Sequence, residues 1–297
     1  MKPIWGLPTW YVRVFKYLVI ATFGLIALGG SVRVMNAGLA CPDWPLCFGD
    51  VIPDYHPQGY FEFLHPALAG LVSLATAALF YLLLFKSFAP SRLKVVACMT
   101  VVLLLTQIVF GGLTVLLQLH SKVVAAHLGM GTGFFGLLLW MYLSMREHAR
   151  EWTPPSLPGW IRPFSIAVLA GVYGQIILGG LVASHFASLV CTDFPTCHGQ
   201  WIPTLSGIIG LHVIHRLGAY ALFALLVANM VILRKSTSDK RLHKYATWLF
   251  LAVCAQIGVG IANVLLHTPP LIAVVHLAVG TTVLALAIRQ LHWVKGT

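Results

Sequence analysis

Four histidines occur at spacings that could hold a metal-centred group. His65, His127, His215 and His276 each fall inside a long apolar run. An ionisable side chain is costly there and marks a functional site by default. His65 and His215 are 150 positions apart, and His127 and His276 are 149 apart. The 150-residue offset also relates Gly29-Gly30 to Gly179-Gly180, and Cys41 and Cys47 to Cys191 and Cys197. One offset shared by a glycine pair, a cysteine loop and a histidine marks an internal duplication. A single helical histidine is more often a hydrogen-bonded core residue. Two per copy, opposed across a helix bundle, suit the axial positions of a haem iron. The sequence therefore predicts two haem sites. Gly70, Gly129, Gly218 and Gly280 follow the four histidines and are expected to leave room for a flat macrocycle.

The copies differ at one polar position. Glu62 stands three residues before His65, and His212 three before His215. One helical turn puts Glu62 on the face of His65. It is either an interfacial carboxylate open to water or a group acting on a ligand, as general base or charge stabiliser. Arg33 and Arg216 are candidates for contact with haem propionates, since arginine pairs well with carboxylates. The alternative for each is a local acid such as Asp43 or Asp193.

Cys41 and Cys47, like Cys191 and Cys197, have five residues between them. Each pair is expected to form a disulfide on the oxidising side of a membrane. A structural staple is the plain reading; a thiol pair exchanging electrons with a partner is the sharper one. Cys98 and Cys254 lie within apolar runs and are expected to be buried apolar residues.

The elements that must carry these residues follow from composition. The 297 residues are 59% hydrophobic and 9% charged, against about 25% charged in an average soluble domain. Lipid must therefore cover the surface. Eight apolar runs are long enough to span it: roughly 12–35, 61–85, 94–117, 123–145, 163–185, 207–233, 242–266 and 271–291. The net charge of +11 does not imply a nucleic-acid partner, because the basic residues sit at helix ends. With the N-terminus inside, all but Arg33, Lys122 and Arg216 of the 19 basic residues fall on the inner side. That bias predicts cytoplasmic termini and cysteine loops on the outer side. The fold class expected is an all-α membrane protein. Its eight transmembrane helices would form two pseudo-symmetric four-helix bundles, residues 1–146 and 161–297, joined by a cytoplasmic linker at 147–160.

With these residues in hand, the chain resembles the haem A synthase family. The resemblance rests on the duplicated four-helix halves, the C-x5-C loops, Glu62-x-x-His65, His127, His215-Arg216 and His276. It implies an enzyme that oxidises a methyl group of haem O to a formyl group, by successive hydroxylations and loss of water, in a bacterial inner membrane. It further implies haem O between His65 and His127, a haem b cofactor ligated by His215 and His276, and Glu62 as the catalytic carboxylate. Haem O synthase, an electron acceptor and a second copy of the chain are the partners it suggests. Pro66 departs from the family's usual arginine after the first-half histidine. It is expected to be tolerated as an early helical residue. Two rival classes remain on the residues alone. One is a di-haem electron carrier of cytochrome b type; the other is a transporter with Gln107, Gln175 and Gln256 as its midplane polar groups.

Overall fold

A computed structural model describes residues 3–39, 49–50, 57–151 and 155–294. Cys41, Asp43 and Cys47, and with them the first disulfide, lie outside the described residues. Regular structure among the described residues is helical, apart from two isolated bridges at Ile4–Leu7 and Cys197–Gln200. The chain divides into two compact units, Met1–Trp152 and Thr153–Thr297. The first holds α1 (Tyr11–Val34), α2 (Pro57–Phe85), α3 (Ser91–Leu116) and α4 (Ser121–His148). The second holds α5 (Ile161–Ser184), a 3-10 turn at Ala187–Leu189, α6 (Gly207–Ser236), α7 (Lys240–Leu265) and α8 (Pro270–Val294). All eight helices are long and apolar enough to cross a membrane.

Within the first unit, α1 packs on α2 and α4, and α3 packs on the same two. Within the second, α5 and α7 each pack on α6 and α8. The helices that carry the histidines, α2 with α4 and α6 with α8, thus face one another between shared neighbours. The fully buried large side chains gather at one end of each unit. In the first they are Leu7, Tyr11, Phe15, Phe80, Leu83, Leu138, Met141 and Met145, and in the second Ile161, Leu226, Leu233 and Leu242. The Phe15 and Phe80 rings stack at 6.1 Å. At the opposite end the same helices bear glycine and histidine. One end of each unit is a packed plug, and the other is built for close approach.

The duplication reaches into the turns. Gln118 and Leu119 after α3 are both left-handed, with φ of 49° and 58°, and so are His267 and Thr268 after α7, with 60° and 57°. Each pair closes its helix with the same hydrogen bond, Leu119 N–H to Thr114 O and Thr268 N–H to Asn263 O, both 2.7 Å. Left-handed backbone costs a non-glycine residue about 1 kcal/mol, so this matching strain is a shared design.

Several expectations are corrected. Helix α4 runs past 145 to His148 because Glu147 is buried and the His148 ring stacks on Trp5 at 4.6 Å. Helix α2 starts at Pro57, so Pro66 is about two and a half turns inside it. It is interior, and its missing N–H deprives the Glu62 carbonyl of its helical donor. Cys98 is exposed and Cys254 half-buried. A thiol is weakly polar and can face lipid at little cost. His292, near the end of α8, is fully buried.

One buried polar contact belongs to the second unit alone. Asn229 of α6 and Gln290 of α8 exchange two amide hydrogen bonds, at 3.0 and 2.8 Å. Leu79 and Met141 stand at the matching places of the first unit. Asn229→Leu should destabilise the protein by about 1–3 kcal/mol, because Gln290 loses its partner while still buried. Pairing it with Gln290→Met should restore most of that loss. Thermal unfolding in a fixed detergent measures both.

Candidate functional site

Each of the four histidines rests its ring against a glycine of the adjacent helix. A Cβ built on Gly29 of α1 would lie 2.9 Å from His65 Cε1, and one on Gly111 of α3 would lie 3.2 Å from His127 Cε1. In the second unit, Gly179 of α5 meets His215 Cε1 at 3.0 Å and Gly260 of α7 meets His276 Cε1 at 2.9 Å. Any side chain at these positions would displace the ring. The expectation for Gly218 and Gly280 is therefore revised. Gly218 and Gly280 accommodate glutamine side chains, and a Cβ on Gly70 would meet nothing within 4 Å.

The structure brings the histidines together in the expected pairs. His65 is close enough to His127 for electrostatic interaction, and His276 to His215. All four are half-buried. The Nδ1 atoms of His65, His127 and His276 are buried and have no hydrogen-bond partner among the described residues. A buried ring nitrogen normally finds a partner, and a metal ion supplies one. Glycine-lined notches and buried imidazole nitrogens without a hydrogen-bond partner among the described residues fit a flat macrocycle with a central iron.

Three glutamines complete these sites, although sequence reasoning treats them only as midplane polar groups. Gln107 Nε2 lies 3.3 Å from His127 Nε2, and Gln256 Nε2 lies 3.3 Å from His276 Nε2. Gln175 Nε2 lies 3.0 Å from His215 Nδ1 and donates to the His215 carbonyl at 2.8 Å. A signal was present: Gln107 and Gln256 are 149 positions apart, the offset of the histidines they hold.

Glu62 is 8% exposed. That value excludes the reading of a carboxylate open to bulk water and places the group inside the unit. His212, its counterpart, is 3% exposed, and its Nδ1 has no hydrogen-bond partner among the described residues. Arg33 is half-buried near the end of α1.

Arg216 belongs to the loop. Its Nη1 donates to the carbonyls of Asp193 at 3.0 Å and Thr196 at 2.7 Å, and its Nη2 to that of Cys191 at 2.8 Å. The guanidinium also lies 5.8 Å from the centre of the Phe194 ring, within cation–π range. The contact with Asp193 is to its backbone, because its carboxylate is engaged elsewhere. That group accepts from the Thr196 hydroxyl at 2.6 Å and from the backbone N–H groups of His198 and Gly199 at 2.9 and 3.1 Å. The Thr196 hydroxyl foremost, with those N–H groups, holds the Asp193 carboxyl well below the usual range. Its contribution is present above the ordinary aspartate pKa and is lost only as pH falls through the lowered value. The loop is therefore fully braced at neutral pH.

Cys191 and Cys197 form a disulfide. Both are almost fully buried, packed with Val213, Val190 and Ile209. Thiol exchange requires access to a sulfur, so burial favours the staple.

The family described as cytochrome oxidase assembly protein matches residues 13–58 and 54–288 of this chain. A haem A synthase of Shewanella oneidensis is 30% identical, covering 90% of this chain and 91% of that protein. One of Halalkalibacterium halodurans is also 30% identical, covering 89% and 91%. One of Caulobacter is 28% identical, covering 91% and 92%.

Replacing Cys191 and Cys197 together by serine should cost about 2 kcal/mol of stability, from the loop entropy returned to the unfolded chain. The protein should keep its bound pigment. A visible spectrum and a thermal melt separate the staple from a redox device, which would lose turnover with stability unchanged.

Proposed function

We propose that this chain, which belongs to the haem A synthase family of cytochrome oxidase assembly proteins, divides the work of one reaction between two similarly built units. The reaction oxidises a methyl group of haem O to a formyl group and yields haem A. The protein is a multi-pass membrane enzyme. Both termini lie in the cytoplasm of a bacterial cell. The two four-helix bundles are pseudo-symmetric copies of one design, and the cysteine loops lie beyond the outer face of the inner membrane.

In the first unit His65 and His127 hold haem O, with Glu62 one turn before His65 and turned into the bundle. In the second unit His215 and His276 hold haem b. The observation that carries this division is the Glu62–His212 difference within otherwise matched sites. A carboxylate can take a proton from the carbon or hydroxyl being oxidised, or stabilise positive charge developing there. In an apolar bundle that electrostatic effect is far stronger than in water. An imidazole at the same place, as in the second unit, leaves that site a holder rather than a reactor.

Haem b, when bound, supplies one-electron redox chemistry, and the protein's part is to fix its two ligands. Arg33 lies in the last turn of α1 and Arg216 directly follows His215 on α6; both suit propionate carboxylates. Arg216 would do so with the N–H groups its loop contacts leave over. Pro66 supplies no such cation in the first unit, so Arg33 is the main propionate partner there. The electron-carrier reading is less well supported, because it gives Glu62 no task.

Glu62→Gln should keep its haem but yield no haem A, as read by pigment extraction and chromatography. Normal haem A output from that variant would sink the assignment. His276→Ala should lose the bis-histidine haem b spectrum while the protein remains folded, and an unchanged spectrum would reject that ligand.

A further inference from the structure

The two units differ along one seam. Helices α6 and α7 approach each other over far more of their length than α2 and α3 do. In the second unit the Phe223 ring of α6 meets the Phe250 ring of α7 at 5.6 Å, and Arg234 Nη2 of α6 donates to Thr247 Oγ1 of α7 at 3.2 Å. Tyr220 and Val227 stand three residues before and four residues after Phe223, so they share its face of the helix. At the 150-residue offset α2 carries Gly70, Ser73 and Ala77 in these places, and at the 149-residue offset α3 carries Val101 in place of Phe250. Each of these large side chains is thus replaced by a smaller one in the first unit.

The same difference shows in what the helices expose. Leu105 and Ile108 of α3 share the face of Val101 and are 59% and 42% exposed. Their counterparts Cys254 and Ile257 are half-buried. Gly70 and Ala77 are exposed, and the Ser73 hydroxyl turns back to donate to the Ala69 carbonyl at 2.7 Å. A glycine inside a helix costs about 1 kcal/mol relative to alanine. At Gly70 no described residue packs close enough to require one, since a Cβ there would meet nothing within 4 Å. The parting also has a direction. The turn between α2 and α3 holds one end together, and there Lys94 Nζ donates to the Leu84 and Ser87 carbonyls, both at 3.0 Å. The helices therefore part toward the other end, which carries His65 on α2 and Gln107, the neighbour of His127, on α3.

We propose that this parted seam is the subsite for the farnesyl chain of haem O, and that Gly70, Ser73 and Ala77 select haem O over haem b for the first unit. This rests on the assignment of the substrate to that unit above. Haem O differs from haem b by a hydroxyethylfarnesyl group in place of one vinyl group. A bundle that grips a porphyrin between opposed helices has room for so long a substituent only where two neighbouring helices stand apart. From Gly70 to Ala77 the first unit offers about 10 Å of helix with no bulky side chain on that face. In the second unit Tyr220, Phe223 and Phe250 occupy the same course and reject the chain by overlap, a discrimination built on the wrong ligand's clash. Haem b lacks the chain and fits behind them. The seated chain also fixes the rotation of the ring within its plane, so that the same edge of the porphyrin meets the same helix at each turnover.

The test rebuilds the closed seam in the first unit. Full-length protein in nanodiscs, with haem b already in the second unit, is titrated separately with haem O and with haem b. Gly70→Tyr, Ser73→Phe and Ala77→Val together should weaken haem O binding to the first unit by about tenfold or more, the scale on which an apolar pocket discriminates. Haem b binding there should be unchanged. The low-spin spectrum of the haem b in the second unit reports that the variant has folded, and Ser73→Phe alone is read in the same way if the triple variant does not fold. Haem O binding at the parental affinity would overturn the proposal and leave the seam to lipid or to a second copy of the chain. Equal weakening of both haems would also overturn it, because that marks damage to the site and not exclusion of the chain. A His65→Ala control separates the two levels. If haem O binds that variant as it binds the parent, the assignment of substrate to the first unit fails; if it does not, the titrations judge the seam alone.

Discussion

The close approach of an imidazole ring to the bare backbone of a neighbouring helix sets the geometry of this protein. It occurs at Gly29, Gly111, Gly179 and Gly260, where a Cβ would stand only 2.9 to 3.2 Å from a ring carbon. In lipid there is little hydrophobic force between helices, so packing and polar contacts must bring them together. A glycine lets the helices close, and the histidine occupies the gap. Its ring is thereby turned toward the helix opposite. The site is thus part of how the bundle packs.

That requirement explains why each unit is built unevenly along its length. Tyr11, Phe15, Phe80 and Leu138 fill one end of the first unit, and Leu226, Leu233 and Leu242 one end of the second. These plugs hold the helices in place, so that the other end can be lined by glycine and polar groups without collapsing. Buried polar groups are costly unless satisfied, and here the glutamines satisfy several of them. The Asn229–Gln290 pair shows that the second unit carries a side-chain amide pair inside its plug, where the first has Leu79 and Met141 at the matching places and the Tyr11 hydroxyl donates to the Leu79 carbonyl.

Much of this was legible in the sequence. The eight helices follow from apolar length alone, and the two histidines of each unit from repeated offsets of 150 and 149. Glu62 was legible as the odd member of a matched set. Less legible were features that depend on which side chain reaches which across helices. Gln175 looked like an isolated polar residue, because its partners His215 and Gly218 lie on the next helix. Arg216 was legible as a candidate propionate contact, but not its hold on three carbonyls of a loop some twenty residues earlier in sequence. The depth of Pro66 within α2 was hidden because the polar start of that helix has no apolar signature. Spacing reveals what lies on one helix, whereas contacts between helices need the fold.

The tie between Arg216 and the second loop has a mechanical consequence. Arg216 is covalently next to His215, so the guanidinium makes the disulfide-closed loop and the start of that ligand's helical turn behave as a single lever. A force applied to the loop is delivered one residue from the His215 ring. A protein docking there could therefore alter the tilt of that imidazole without entering the membrane.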